Sequence, residues 1–419
     1  MPYGQTLIME RRSRYRAIPL RTLAIVVGSA ISIGVASLIF LWPTVRGLFP
    51  AAVHHTPTAA VYATYEVVAV SANAAYLLVR PPGAVLSASL YRTRDAGATW
   101  QRLSLPASAS GNGFVLRSLS GGNLFLRTFT FATGSQHFYV GDGSTWIEIA
   151  VPEHGSGSLQ MVDAKVGFYV ATQTAGTPSV QELVVYRTQD GGRTWEQRLD
   201  LNTFRSTGGG LNLSDVNSFM SFADSLHGWL VVVPSSWGLV CGTPRPTDPA
   251  QQLMTSQDGG STWTPVSLPR LPQGSTQLGT PVFPGSGGGG YLTITANTYV
   301  GQCPPVGTTL AYGTLDDGTT WSGPRTLPGP FFDSPDGVVW WASDGRQLFR
   351  SNNQGQNWET TEPHLPAGAV TLEALFVVNA QTAWSLWSAG SDQAQPQRER
   401  LLRTTDAGAH WSEVRLPGG

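Results

Sequence analysis

One eight-residue stretch recurs along this chain and limits what it can fold into. Thr188–Trp195 reads Thr-Gln-Asp-Gly-Gly-Arg-Thr-Trp, and Thr93–Trp100, Ser256–Trp263 and Thr314–Trp321 follow the same template. Ser351–Trp358 carries Asn353 in place of the acid, Thr404–Trp411 has His410 for the last Thr, and a shortened copy runs from Gly141 to Trp146. The seven copies centre on Asp95, Asp142, Asp190, Asp258, Asp316, Asn353 and Asp406, and close on Trp100, Trp146, Trp195, Trp263, Trp321, Trp358 and Trp411. A signature returning about every fifty residues means a repeat architecture, in which each unit buries its apolar face against the next.

The residue types explain the spacing. An Asp two residues before a Gly, between two strands, is turn chemistry: the carboxylate accepts hydrogen bonds from nearby backbone N–H groups and Gly supplies the positive φ of the bend. The leading Ser or Thr hydroxyl bonds the same loop, and the closing Trp opens the next strand with a large ring that fills space between sheets. Asn353 keeps the acceptor oxygen. Seven scattered acids serving seven turns read as structural and not as metal ligands or catalysts.

The template resembles the Asp-box, or bacterial neuraminidase repeat, of sialidases, some glucanases, sortilin-like receptors and the photosystem II assembly propellers. The resemblance covers most of residues 60–419. It implies that each box is the turn between the third and fourth strands of a propeller blade, away from the active-site face.

The blades can be counted a second way. Second strands, often opening after Gly, stand near Tyr76, Phe125, Phe168, Trp229, Tyr291, Trp340 and Trp384, one before each closing Trp. Two signals that agree in number and order predict an all-β, seven-bladed β-propeller over residues 61–419, running from a first strand near Val61 to a last strand over Trp411–Leu416. No strand is obviously left over for exchange across the seam, so packing between blades can close the ring, and the alternative is an early segment that adds to blade seven. Charged residues at 13%, with 48 Gly and 29 Pro, suit many short strands and tight turns. The net charge of −1 provides no field for nucleic acid.

Ahead of the repeats, residues 1–21 carry Arg11, Arg12, Arg14, Arg16 and Arg21, and Thr22–Trp42 then runs without a charge. As a helix that run spans about 31 Å, enough to cross a bilayer core. The arginines place residues 1–21 in the cytoplasm as a short arm, 22–42 across the membrane and everything after 43 outside it, with the lipid bilayer as a partner of 22–42. The competing reading is a cleaved signal peptide, but the apolar run is longer than an h-region and no small-x-small site follows. Residues 43–60 read as a linker. Its His54–His55 pair lacks the further ligands a metal site needs.

Two insertions, Ser235–Gln251 and Thr298–Thr309, fall between second and third strands of adjacent blades and hold the two cysteines, Cys241 and Cys303. An oxidising compartment and adjacent loops predict a disulfide between them, with about 4 kcal/mol of stabilisation in the entropic account. A metal pair or redox couple lacks any CxxC or histidine spacing. Trp237 and Tyr299, in the same insertions, are the candidate ligand contacts; Phe331, Phe332, Trp340, Trp341 and Trp387 read as packing between blades.

Chemistry is sparse. There is no HExxH, GxSxG or Walker loop, and no GxGxxG that follows a strand and leads into a helix. A propeller assembles its sites from several blades and leaves no compact motif, and no catalytic, cofactor-binding or metal-ligating residue is singled out. Against a sialidase, Arg16-Ala17-Ile18-Pro19 is a loose match to that family's Arg-Ile-Pro motif and lies before the apolar run. Acids outside the boxes are dispersed: Glu66, Asp163, Glu182, Asp215, Asp224, Asp248, Asp333, Asp336, Asp344 and Glu373. The expected function is a membrane-anchored, extracytoplasmic propeller that binds a protein partner or a cell-surface glycan without catalysis. The alternative is a membrane-tethered, sialidase-like glycoside hydrolase, marked by a deep acidic and arginine-lined cleft on the face opposite the boxes. A third reading is a purely structural envelope protein.

Overall fold

The computed structural model describes residues 64–80, 88–111, 113–130, 132–152, 157–175, 180–200, 216–234, 252–268, 275–284, 287–298, 306–369, 371–388 and 399–417. The predicted arm, membrane span and linker lie outside these residues. So do Cys241, Cys303, Trp237 and Tyr299, and with them the predicted disulfide and ligand contacts. Among the described residues no helix is long and apolar enough to cross a membrane.

Seven four-stranded antiparallel sheets follow one another along the chain, each built from four consecutive strands. Blade 1 comprises Thr64–Ala69, Ala75–Arg80, Ser89–Thr93 and Gln101–Leu103; blade 2, Gly113–Ser118, Leu124–Phe129, Gln136–Gly141 and Trp146–Glu148. Blade 3 comprises Gly157–Met161, Gly167–Ala175, Val180–Thr188 and Glu196–Asp200; blade 4, Val216–Phe222, Gly228–Pro234, Gln252–Ser256 and Thr264–Val266. Blade 5 comprises Ser275–Leu278, Gly290–Thr298, Val306–Thr314 and Ser322–Thr326; blade 6, Phe331–Asp333, Trp340–Ser343, Leu348–Ser351 and Glu359–Thr361. Blade 7 closes the series with Thr371–Val377, Ala383–Ser388, Glu399–Thr404 and Ser412–Val414. The fold is a seven-bladed β-propeller.

Its core is divided among the seams. Seven clusters of buried apolar side chains each join two neighbouring blades. The cluster of Val67, Ala75 and Leu77 with Trp384, Leu386, Leu401 and Val414 joins blade 1 to blade 7 and closes the ring. Among the described residues no strand is exchanged across that seam, and the early segment that the sequence offers for such an exchange lies outside them. Second strands such as Ala383–Ser388 are buried along their whole length because both faces meet a neighbouring blade.

The first strand of blade 1 is described from Thr64, and the expected start near Val61 lies outside the described residues. One boundary differs from the sequence reading. The second insertion is shorter than Thr298–Thr309, since Thr298 pairs with Val306 and the ladder continues through Thr295 with Thr309. The β-branched Thr293, Ile294, Thr295, Val306, Thr308 and Thr309 suit a pleated surface, which lengthens the hairpin at the expense of its loop.

Candidate functional site

The recurring turns lie between third and fourth strands and are held by their own side chains. Asp190 Oδ1 accepts the Thr194 N–H at 2.9 Å and the Thr188 hydroxyl at 2.9 Å, while Thr194 Oγ1 donates to Oδ2 at 2.6 Å. The Thr194 hydroxyl and then its N–H hold the Asp190 carboxyl down at about 2. Asp95, Asp258 and Asp316 repeat the arrangement with Thr99, Thr262 and Thr320. Asn353 takes the N–H of Asn357 at 3.0 Å. At Asp406 the ring of His410 replaces the threonine hydroxyl, its Nδ1 lying 2.7 Å from Oδ2. Asp142 accepts the Ser144 and Thr145 N–H groups at 2.8 Å each. These acids are filled by donors of their own turns. Asp163 and Asp224 likewise cap first-to-second strand turns, each accepting two N–H groups. Among the described residues no three histidines, cysteines or acids stand together as a metal site.

The axis of the ring is different. First strands of neighbouring blades touch one another, whereas each fourth strand lies at the far edge of its sheet, so the first strands line the axis. Facing the second-strand aromatic in each ladder is a residue at one common level: Val68, Arg117, Gln160, Ser221, Asp333 and Phe376 in blades 1, 2, 3, 4, 6 and 7. Three of the polar ones reach into the next blade. Gln160 accepts the Phe222 N–H at 2.7 Å and donates to the Phe222 carbonyl at 2.9 Å. Ser221 donates to the Pro281 carbonyl at 2.6 Å, and Asp333 accepts the Val377 N–H at 2.7 Å. Higher on blade 1, Glu66 accepts the Leu116 N–H of blade 2 at 2.9 Å.

Burial acts strongly on these carboxyls. It raises Glu66 from the ordinary 4.5 to about 7, against the Leu116 N–H and the charges of Arg117 and Arg80. Asp333 is raised to about 6 by the same desolvation, against the N–H groups of Val377 and Ser334. Glu399, opening the third strand of blade 7, is raised to about 7 by burial, with Glu373 adding repulsion and the Tyr65 N–H and Arg80 opposing. Acids and arginines thus converge near the axis around blades 7, 1 and 2. The sequence reading named Glu66, Asp333 and Glu373 but passed over Glu399, Arg117 and Arg127. The legible signal was a charge opposite, or two residues from, the residue that faces a second-strand aromatic. The aromatics Trp340, Trp341 and Trp387 are buried to within 1% and pack in the seams. Phe332 stands edge-on to Tyr291 and Trp340, with ring centroids 4.9 and 5.3 Å away.

No protein-family profile matches the chain and no curated protein matches it. Solved propellers do. A structure of YCF48 bound to a D1 peptide is 16% identical over 85% of this chain and 99% of its own, with a TM-score of 0.45. A GH74 xyloglucanase from Xanthomonas campestris is 15% identical over 84% of this chain and 61% of its own, at 0.43. The β-propeller domain of the trilobed protease from Pyrococcus furiosus, described as having an open velcro topology, is 8% identical over 86% and 99%, at 0.47.

Proposed function

We propose that this chain is a membrane-anchored, extracytoplasmic propeller built on Asp-box turns, and that it binds a protein partner or a cell-surface glycan without transforming it. The apolar run Thr22–Trp42 and the arginines before it support the anchor. One observation carries the non-catalytic reading: the buried axial carboxyls are committed to backbone N–H groups of neighbouring blades, Glu66 to Leu116 and Asp333 to Val377. A carboxyl tied to the scaffold is a poor acid or nucleophile, because its oxygen would have to leave a buried donor unpaired in order to reach a substrate.

The raised carboxyls Glu66 and Glu399, both acted on by Arg80, favour the glycoside hydrolase as the second reading. Turnover of fluorogenic glycosides, a sialoside among them, by the purified protein decides between the two. The expected result is none, followed by recovery of a partner from the cell envelope on the immobilised propeller. Turnover that vanishes in Glu399→Gln would replace the binding reading with hydrolysis.

A further inference from the structure

Blade 2 holds a charge arrangement that its fold does not use. The ladder pairs Val115 with Arg127 and Arg117 with Phe125. Opposed residues share a face of the sheet, as do residues two apart, so Arg117 and Arg127 are diagonal neighbours on one face, about 7–8 Å apart at the backbone. That face looks toward blade 3, since Phe125 packs there with Leu159, Met161 and Tyr169. Burial lowers the Arg127 pKa, and the positive charge of Arg117 lowers it further.

Neither cation is neutralised in the way buried cations ordinarily are. The arginine ion pairs among the described residues belong to Arg198, Arg350 and Arg400. Arg127 Nε is buried without a hydrogen-bond partner, and its guanidinium carbon lies 5.4 Å from the centre of the Phe129 ring. Glu66 acts on Arg117 through space but gives an oxygen to the Leu116 N–H. Arg117 keeps exposed surface although the surrounding blades desolvate it, and it stands on a first strand, on the axial side of blade 2. Blade 3 begins opposite with Gly157, where a Cβ would fall 2.2 Å from the Tyr169 hydroxyl, so the phenol end lies at this wall. A role as a seam fastener, like Gln160 or Asp333, is unsupported, because neither arginine bonds blade 3 among the described residues. Two desolvated like charges beside one carboxyl, Glu66, itself bonded to the Leu116 N–H and pushed by burial toward its neutral form, cost free energy that a bound anion would recover.

The geometry points to an oxyanion-binding site on the axial side of the seam between blades 2 and 3, where Arg117 and Arg127 hold a carboxylate, sulfate or phosphate group. Guanidinium forks match such groups in geometry and charge. The site rests on the binding reading above and supplies its chemistry: the partner presents an acidic group.

The test is a titration of the purified full chain with sodium sulfate, phosphate or acetate against sodium chloride at equal ionic strength, read by calorimetry and thermal melting. Saturable binding and stabilisation by at least one oxyanion are expected, and the order among the three tells a carboxylate site from a tetrahedral-anion site. Arg127→Gln and Arg117→Gln are each expected to weaken the response at least about tenfold, with Arg127→Lys intermediate. Arg92→Gln, whose guanidinium pairs on the outside with Gln101, keeps the full response. Should Arg117→Gln fail to fold by circular dichroism, the two Arg127 variants decide. No saturable response in the parent protein, or equal responses in the parent and Arg127→Gln, overturns the site. Glycoside turnover alongside normal anion binding would remove the binding reading alone, whereas loss of anion binding without turnover removes only the site.

Discussion

Six of the seven closing tryptophans fall into two groups, blades 1–3 and blades 4, 5 and 7, and the seventh, Trp358 of blade 6, is half-buried. In blades 1, 2 and 3, Trp100, Trp146 and Trp195 are half-buried and latch onto the blade before them: their indole N–H groups donate to the carbonyls of Arg415, Ser104 and Ala150 at 2.7, 2.8 and 2.7 Å. In blades 4, 5 and 7, Trp263, Trp321 and Trp411 are buried and turn inward, donating to Gly260, Gly318 and Gly408 of their own turns at 2.9, 3.0 and 3.0 Å. Phe222 and Phe283 meet Trp263 and Trp321 edge-on, 6.1 and 6.2 Å between ring centres. One local template therefore serves two packing schemes. An indole in the seam core contributes mainly by excluding water, and one at the rim mainly by a single cross-blade hydrogen bond.

The largest effect should come from deleting an inward ring. Trp263→Ala or Trp321→Ala is expected to cost about 3–5 kcal/mol, and Trp100→Ala about 1 kcal/mol. Denaturant midpoints of the three variants check this, and equal losses would erase the distinction between the groups.

The glycine of the first turn is next in size, because it presses on the preceding blade. Gly97 has φ +86°, and a Cβ there would meet Val414 Cγ1 of blade 7 at 2.0 Å. Gly97→Ala should cost about 2–4 kcal/mol through strain and overpacking together. Gly122, at φ +79° with nothing within 4 Å, isolates the strain alone, and Gly122→Ala should cost about 1–2 kcal/mol. Similar melting shifts for both would mean that the closing seam yields.

The axial acids and the turn acids oppose each other in pH dependence. Glu66, Glu399 and Asp333 titrate higher folded than unfolded, so the folded state holds their protons more tightly. The stability they lend is complete below the ordinary 4.5 and 3.8 and is lost as pH rises toward about 7. Asp190 and Asp406 are drawn down to about 2, Asp406 by the N–H groups of His410 despite a desolvation cost, so their stabilisation holds above 3.8 and is lost as pH falls toward 2. Melting temperature should therefore be higher near pH 5 than above 7, and Glu66→Gln should narrow that gap. An unchanged gap would show that Glu66 ionises at little cost.

The smallest effects lie at the fourth turn position, where Gly191 and Gly259 have left-handed backbones and Ala96, Asp317, Gln354 and Ala407 adopt the same conformation. Ala96→Gly and Ala407→Gly should stabilise by up to about 1 kcal/mol by relieving strain. Gln354→Gly should not, because Gln354 Nε2 donates to the carbonyls of Thr314 and Gly337 across the seam to blade 5 and within blade 6, at 2.7 and 2.9 Å. Opposite signs for Ala96→Gly and Gln354→Gly in the same melting assay are the expected outcome.

Blade count, strand order and the turn geometry were legible in the residues because they are local: an Asp, a Gly two residues on and a Trp specify a turn wherever the chain places them. At the last turn His410 stands in the threonine position, and its ring takes the place of the threonine hydroxyl beside the second carboxylate oxygen. The axial cluster was only partly legible. Glu66 and Glu373 lie on one strand type and Glu399 on another, separated by most of the chain, and only ring closure brings blade 7 against blade 1. The two groups were not legible at all, as Trp195 and Trp263 end nearly identical octapeptides. Sequence by itself determined the repeating unit, because short-range hydrogen bonding and backbone conformation decide a turn. Tertiary structure alone decided which indoles enter the core, which acids are desolvated and which arginines stand unpaired, because those outcomes depend on what the neighbouring blade presents across the seam.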